Sequence, residues 1–304
     1  MNEYDLIIVG GGPAGLTAGL YTTRLGLSSL IIEKQLEGGK VLEAYNIENY
    51  PGVSEKINGH VLIEHFKKQL SDHNVLIHAL ESVISVEKKD VFHVRTDKNE
   101  YTSKALIIAT GTHLKRLNVP GEKEYRGRGL SYCATCDGPL FRNKRVAIVG
   151  GGNTAVSSAL YLSELCKTTY LIHRRDSLRA ENALADNLKK ADVTVLWDSI
   201  VQKIEGDKFV RNVVIENVKT HEVRSMFIDG VFILVGYEPN NELAKNMGLT
   251  LTKFGFIEID KKCRTNIDGI FAAGDITGVA LQIAAAVGQG CTASLEAYEY
   301  VKRN

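Results

Sequence analysis

The sequence predicts an α/β protein of two Rossmann-like, three-layer dinucleotide-binding domains, the second inserted into the first. Three observations predict it. An apolar run, Asp5–Val9, passes directly into Gly10-Gly11-Gly12-Pro13-Ala14-Gly15. A second apolar run, Arg145–Val149, passes into Gly150-Gly151-Gly152-Asn153-Thr154-Ala155, at one constant offset from the first. A late apolar run, Gly269–Ala273, leads through Gly274-Asp275 into a long helical stretch and returns the chain to the first domain. Continuous apolar strands are expected where a parallel sheet is covered on both faces. A glycine turn at the end of such a strand lets a dinucleotide approach the backbone.

The elements follow in order. Leu16–Leu25 reads as a helix with small residues at Ala18 and Gly19, and Leu30–Ile32 as a second strand ending on Glu33. Gly10 makes the tight turn, Gly12 admits the pyrophosphate and Gly15 allows close helix–strand packing. The helix N-terminus faces the phosphates, and Glu33 accepts from the ribose hydroxyls. Glu37–Gly52 is a long polar loop with turn signals at Gly38-Gly39 and Pro51-Gly52, and a loop of that length is more often functional than not. His60–His73 carries one apolar face, Val61, Leu62, Ile63, Phe66 and Leu70. Val75–Arg95 and Tyr101 alternate as strands, with a turn at Asp97-Lys98-Asn99, and Ala105–Ala109 is a buried strand closing on Thr110-Gly111. His113–Gly121 is a polar crossover. Beyond it come Ser131–Gly138, the repeated strand and turn, a helix over Val156–Leu165 and a strand over Thr168–Ile172. Ile228–Leu234 runs into a second crossover near Gly236–Asn241, and Ala280–Lys302 is the terminal helix. The expected domains are 1–114 with 242–304, and 115–241.

The two glycine turns differ at the residue that reads the ribose. The offset that carries Gly10, Gly12 and Gly15 onto Gly150, Gly152 and Ala155 carries Glu33 onto His173, which opens His173-Arg174-Arg175 with Arg179 a turn further on. A carboxylate accepts from free hydroxyls and repels a 2′-phosphate, whereas a basic cluster attracts one through charge-assisted, often bidentate bonds. The second turn is therefore expected to take NADPH rather than NADH. At the first, Asp275 is placed to accept from ribitol hydroxyls, and the terminal helix to set its positive end against an electron-rich ring.

Between the turns lies Cys133-Ala134-Thr135-Cys136-Asp137. Two cysteines at this spacing can close a small reducible disulfide, and thiolate pKa values there are often lowered. The five cysteines include three scattered ones, Cys166, Cys263 and Cys291, which argues against a secreted disulfide framework and fits a reducing cytosol. No second CxxC and no HxxxH completes a zinc site, so no metal is expected. A net charge of +1 gives no field toward nucleic acid or anionic membrane. The first strand pattern begins at Asp5, leaving no room for a leader peptide, and Val279–Cys291 is too short and interrupted to span a membrane.

The motifs GGGPAG (10–15), CATCDG (133–138), GGGNTA (150–155), HRRDSLRA (173–180), GYEPN (236–240) and AAGD (272–275), in this order and spacing, resemble low-molecular-weight thioredoxin reductase over essentially the whole chain. The resemblance implies a homodimeric cytoplasmic enzyme with an FAD domain built from both chain ends and an inserted NADPH domain carrying the redox disulfide. It implies that Cys136 faces the flavin, Cys133 attacks the thioredoxin disulfide and Asp137 protonates the leaving thiolate, for which its pKa must be raised by burial. It implies an FAD site of Gly10, Gly12, Pro13, Ala14, Gly15, Glu33, Lys34, Gly39, Lys40, Asn49, Val83, Thr110, Gly111, Asp275, Gln282 and Ile283. The NADPH site it implies is Gly150, Gly152, Asn153, Thr154, His173, Arg174, Arg175 and Arg179. It also implies a rotation between domains, because the disulfide and the nicotinamide must visit one flavin. Three changes, at four positions, depart from the family: Lys40 stands where bacterial members carry Gln, Ser157-Ser158 replaces an acidic pair, and Leu281 replaces an Arg. Rival readings keep the flavin but change the partner to another dithiol protein, the donor to ferredoxin, or the role to a redox sensor or a flavin reductase that ignores the cysteines.

Overall fold

A computed structural model describes residues 2–44, 47, 50–53 and 57–303, the side chains of Glu43 and Cys136 excepted. The chain divides into two compact units, Met1–His113 with Glu238–Asn304, and Leu114–Tyr237. Each is an α/β fold built on a parallel sheet.

In the first unit the strands Leu76–Ala79, Ser29–Glu33, Asn2–Val9, Glu100–Ile108 and Ile270–Ala272 lie side by side in that order, all parallel. The start of Glu100–Ile108 also pairs antiparallel with Phe92–Thr96, which pairs with Val83–Lys88. Successive residues of a strand face opposite sides. Leu6, Ile8 and Ile31 therefore pack with Leu62, Ile63, Ala293 and Ala297 from the helices Gly59–Ser71 and Ile283–Arg303. Ile7, Val9, Leu30 and Ile32 pack on the other side with Phe92, Val94, Leu249 and Ile257. Both faces are covered, which is why these strands read as unbroken apolar runs.

The first helix spans Pro13–Arg24, beginning with proline at its first turn, where the missing N–H costs nothing. It lies against Ile283–Arg303 at very close range. A Cβ added to Gly290 would sit 2.3 Å from the Ala14 carbonyl oxygen, and Ser294 Oγ donates to the Ala18 carbonyl at 3.2 Å. The terminal helix starts at Ile283 rather than Ala280. Gly278, at φ +68°, reverses the chain first, and the opening helical bond runs from the Ala286 N–H to the Gln282 carbonyl at 3.0 Å.

The second unit has a parallel sheet in the order Val193–Leu196, Thr168–Ile172, Arg145–Gly150, Gly230–Leu234, Leu130–Ser131. Val146, Ile148, Leu171 and Phe232 pack on the helix Asn153–Leu165. Ala147, Val149, Val231 and Ile233 pack on Val201, Ile204, Val213 and Ile215. Those four belong to an antiparallel sheet of Ser199–Gly206, Val210–Asn217 and Val223–Phe227. Here the third layer is a sheet rather than helices, and no periodicity announces it, because register shifts between Val201 and Lys203 and between Glu205 and Gly206 break the alternation. The two crossovers run alongside one another, Thr112–Leu114 pairing with Tyr237–Pro239.

Glu81 is a buried carboxylate that ties the first unit's strands together. It accepts from Thr96 Oγ1 at 2.6 Å, Tyr101 Oη at 2.9 Å and Asn99 Nδ2 at 3.2 Å, with His78 Nδ1 at 3.3 Å. Burial opposes its charge, but these donors hold its carboxyl below the usual range.

Two predictions follow from this packing. Gly290→Ala should destabilise the protein by about 2 kcal/mol in urea unfolding through overpacking. Gly288→Ala on the same helix, with nothing within 4 Å of its added Cβ, should be neutral or slightly stabilising. Equal effects of the two would show that the helix contact is not the constraint. The folded Glu81 value lies below the unfolded one, so its stabilisation is complete above the unfolded value and is lost as pH falls through the folded one. Parent and Glu81→Gln should therefore converge in unfolding midpoint as pH drops below the usual glutamate value of about 4.3, with the parent ahead at neutral pH.

Candidate active site

In open parallel sheets ligands bind outside the carboxyl ends of the strands, and the notable residues of each unit gather there. In the first unit Gly10–Gly15 follows Asn2–Val9, Glu33 ends its strand, Thr110-Gly111 follows Glu100–Ile108, and Asp275 follows Ile270–Ala272.

The three glycines of the first turn are needed for three reasons. Gly10 has φ +114° and its Cβ would strike the Ala109 carbonyl oxygen at 2.2 Å. A Cβ on Gly15 would lie 1.8 Å from the Gly10 carbonyl oxygen. A Cβ on Gly12 would meet nothing within 4 Å, so this glycine opens onto free space where a ligand can approach. The helix that follows has no side-chain cap at Gly12, which leaves its first N–H groups for an anion. Glu33 is buried, its Oε2 accepting from the Gly11 N–H at 2.6 Å and its Oε1 from the Gln35 N–H at 2.8 Å.

Around this turn the loop Gly39–Glu43 is a short 3₁₀ turn. Lys40 Nζ lies 2.7 Å from Asp275 Oδ2 and donates to Thr112 Oγ1 at 2.7 Å. Gly274, at φ +83°, donates its N–H to Gln289 Oε1 at 2.8 Å, which sets the strand end that carries Asp275. Thr110 and Asn240 are joined by two hydrogen bonds at 2.9 and 2.7 Å. Pro13, Val83 and Ile283 are half-buried, Ala14 is buried, and Lys34 and Gln282 are exposed. Asn49 lies outside the described residues.

In the second unit Gly150, at φ +157°, turns the chain against the Leu234 carbonyl, and Gly152 again opens onto free space. The helix after it is likewise uncapped. Asn153 and Glu181 exchange two hydrogen bonds, at 2.7 and 2.8 Å, while Thr154 is exposed. His173 is 5% exposed and faces inward: its ring occupies the place a Cβ on Gly151 would need, and its Nε2 lies 2.9 Å from the Ser177 carbonyl. Arg174, Arg175 and Arg179 are exposed and form no ion pair among the described residues. Asp176, the nearest carboxylate in sequence, pairs instead with Lys219 at 3.3 Å. An uncompensated basic cluster therefore stands beside the open glycine turn. Behind it Trp197, the only tryptophan, lies edge-on to His173 with ring centroids 6.2 Å apart.

Cys133 follows the edge strand Leu130–Ser131 at this same end of the sheet. It is half-buried and disulfide-bonded, and its N–H donates to Ser131 Oγ at 3.0 Å. The turn Ala134–Asp137 continues into Gly138, whose added Cβ would lie 2.8 Å from Leu162 and 3.0 Å from Tyr161. The cysteine turn is thus seated on the helix whose N-terminus the second glycine turn opens. Asp137 is half-buried, and the side chain of Cys136 lies outside the description.

These features are a disulfide, two open glycine turns and one basic cluster. The family described as pyridine nucleotide-disulphide oxidoreductase matches residues 4–290. The chain belongs to this family. The thioredoxin reductase of Treponema pallidum (strain Nichols) is 41% identical over 302 residues, covering 98% of this chain and 97% of that one. The crystal structure of Lactococcus lactis thioredoxin reductase (FR conformation) is 40% identical at a TM-score of 0.85, covering 99% of this chain and all of its own. A ferredoxin-flavin thioredoxin reductase from Clostridium acetobutylicum is 32% identical at a TM-score of 0.55, with both chains fully covered.

Two groups of this oxidoreductase escaped the sequence reading. Thr112 joins Lys40 and Asp275, yet in sequence it is one threonine after Gly111. Glu122, 2% exposed, accepts from Tyr132 Oη at 2.7 Å and from the Leu117 and Asn118 N–H groups at 3.1 and 2.6 Å, tying the first crossover to the residue before Cys133. Burial and that carboxylate push the Tyr132 phenol well above its ordinary value. Only the Pro120-Gly121 turn marked this place in sequence. Among the described residues no group of three or more His, Cys, Asp or Glu could hold a metal, and no helix is long and apolar enough to cross a membrane.

The remaining thiols differ in kind from Cys133. Cys166, Cys263 and Cys291 are free, and burial pushes the Cys166 and Cys263 thiols up to about 11. Only the thiolate is nucleophilic. Iodoacetamide at about pH 8 should therefore label Cys166 and Cys263 slowly, at about one-thousandth of their full thiolate rate. Cys133 should label only after reduction, and then fastest. Peptide mapping that finds Cys133 alkylated without reductant would refute the disulfide assignment.

Proposed function

We propose that this oxidoreductase is a thioredoxin reductase that takes electrons from NADPH through FAD and a Cys133–Cys136 disulfide. The overall reaction consumes NADPH, a proton and oxidised thioredoxin, and yields NADP⁺ and the thioredoxin dithiol. The observation that carries the reading is on the second unit. One sheet end bears both the disulfide cysteine and an open glycine turn flanked by three unpaired arginines. Cys136 is the partner on this reading, since the other three cysteines are free.

The residues present fit a dinucleotide at each turn. FAD would lie on Gly10–Gly15, its pyrophosphate at the uncapped helix end beside Gly12, with Glu33, Thr110-Gly111 and Asp275 at the neighbouring strand ends. When bound it supplies the two-electron carrier between nicotinamide and disulfide. NADPH would lie on Gly150–Ala155, with Asn153 and Thr154 at the helix start. Arg174, Arg175 and Arg179 would hold its 2′-phosphate, and His173, fixed against Gly151, supports the loop that presents them.

The chain's own part of the disulfide chemistry falls to three residues. Cys136 receives the electrons, Cys133 forms the mixed disulfide with thioredoxin, and Asp137 delivers the proton to the thiolate that leaves. The nicotinamide turn and the cysteine turn are both on the second unit and must serve a flavin on the first. A rotation through the crossovers near His113–Gly121 and Gly236–Asn241 would present them in alternation. On this reading the enzyme works as a homodimer in the cytoplasm. The three arginines favour NADPH over the ferredoxin named in the Clostridium acetobutylicum relative.

Anaerobic titration of the FAD-loaded protein with NADPH is the test. The flavin band should bleach with uptake of more than one two-electron equivalent, and catalytic thioredoxin should then be reduced. NADP⁺ should alter Trp197 fluorescence at about tenfold lower concentration in the parent than in Arg174→Ala. A flavin that dithionite reduces and NADPH does not would overturn the donor assignment.

A further inference from the structure

We propose that Lys40 sets how readily the flavin of this enzyme is reduced, by cancelling the charge of Asp275. The inference rests on the reading of the first unit as the flavin site.

Three segments meet at Lys40. Asp275 comes from the end of Ile270–Ala272, Thr112 from beyond Glu100–Ile108, and Lys40 from the turn after Ser29–Glu33. The ammonium is within 2.7 Å of both the Asp275 carboxylate and the Thr112 hydroxyl, and that hydroxyl lies 3.4 Å from the same carboxylate oxygen. The arrangement is built rather than incidental. Gly38, at φ +119°, donates its N–H to the Gly11 carbonyl at 2.8 Å, and a Cβ on Gly39 would come 3.4 Å from Gly12 Cα. The loop that carries Lys40 is therefore fastened to the glycine turn itself. Thr112 is buried, and the Lys40 and Asp275 side chains are 29% and 17% exposed, so solvent screens their charges only in part.

The chemistry follows from charge. A hydride received from NADPH, which leaves as NADP⁺, makes the isoalloxazine ring more negative by one unit. A lone carboxylate at the strand end opposes that change, while an ammonium paired with it removes the opposition. The pair also leaves Asp275 with a free lone pair for a hydroxyl donor, so Lys40 tunes the site without occupying it. Lys40 is thus a positioning and electrostatic residue, not one that touches the reacting sulfurs.

The test compares FAD-loaded parent, Lys40→Gln, Lys40→Met and Lys40→Arg, equilibrated anaerobically with a reference dye during slow enzymatic reduction. At the dye reading where the parent flavin is half reduced, the reduced-to-oxidised ratio should fall about tenfold in both neutral variants, the effect of one part-buried unit charge. Lys40→Arg should stay within about twofold of the parent. Neutral variants that bind flavin and titrate with the parent would overturn the inference, and so would an arginine variant that behaves like them. A parent that binds no flavin would instead sink the underlying reading, and this inference with it.

Discussion

The close approach of helix to strand end at each glycine turn is the constraint on which the rest depends. Gly15 brings its helix so near the Gly10 carbonyl that no side chain fits between them. That fixes the direction of the helix, and with it where the uncapped N–H groups point. The same helix is gripped from its other side by the terminal helix through Gly290, Ala14 and Ala18. Chain end and chain start are thereby locked into one unit although the second unit is inserted between them. A side chain at any of these small positions would move the anion-binding end of the helix as well as the core.

The two units use one plan with opposite charge. In the first, a buried carboxylate, Glu33, closes on Gly11; in the second, His173 packs on the equivalent Gly151. Neither residue stands free at the surface. What the pair changes is the loop beyond, which in the second unit presents three exposed arginines, while Asp176 beside them pairs with Lys219. Selectivity between free and phosphorylated ribose on the proposed reading comes from that uncompensated charge. The inward histidine is a support for the loop.

Much of this was legible in the sequence. Parallel strands covered on both faces leave continuous apolar runs, so Asp5–Val9, Arg145–Val149 and Thr168–Ile172 could be placed to within a few residues. Glycine turns between strand and helix carry their own spacing, and the family followed from them together with the cysteine motif. The antiparallel sheet of the second unit was not legible, because its bulges interrupt the two-residue period. The late start of the terminal helix was not legible either, since Ala280 to Gln282 reads as helix until Gly278 is seen to turn the chain.

The sequence by itself determined the α/β class, the repeated dinucleotide turns, the basic cluster and the family, because each is a local pattern written by strand period, turn chemistry or charge. Only the tertiary structure decided which side chains meet across distant segments. Lys40, Thr112 and Asp275 are far apart in the chain and are joined because parallel strands bring their carboxyl ends to one edge. Glu122 meets Tyr132 because the turn after Val119 folds it back beside the edge strand Leu130–Ser131, and His173 turns inward because Gly151 leaves room for its ring. Burial and partner choice are properties of packing, and no spacing along a chain encodes them.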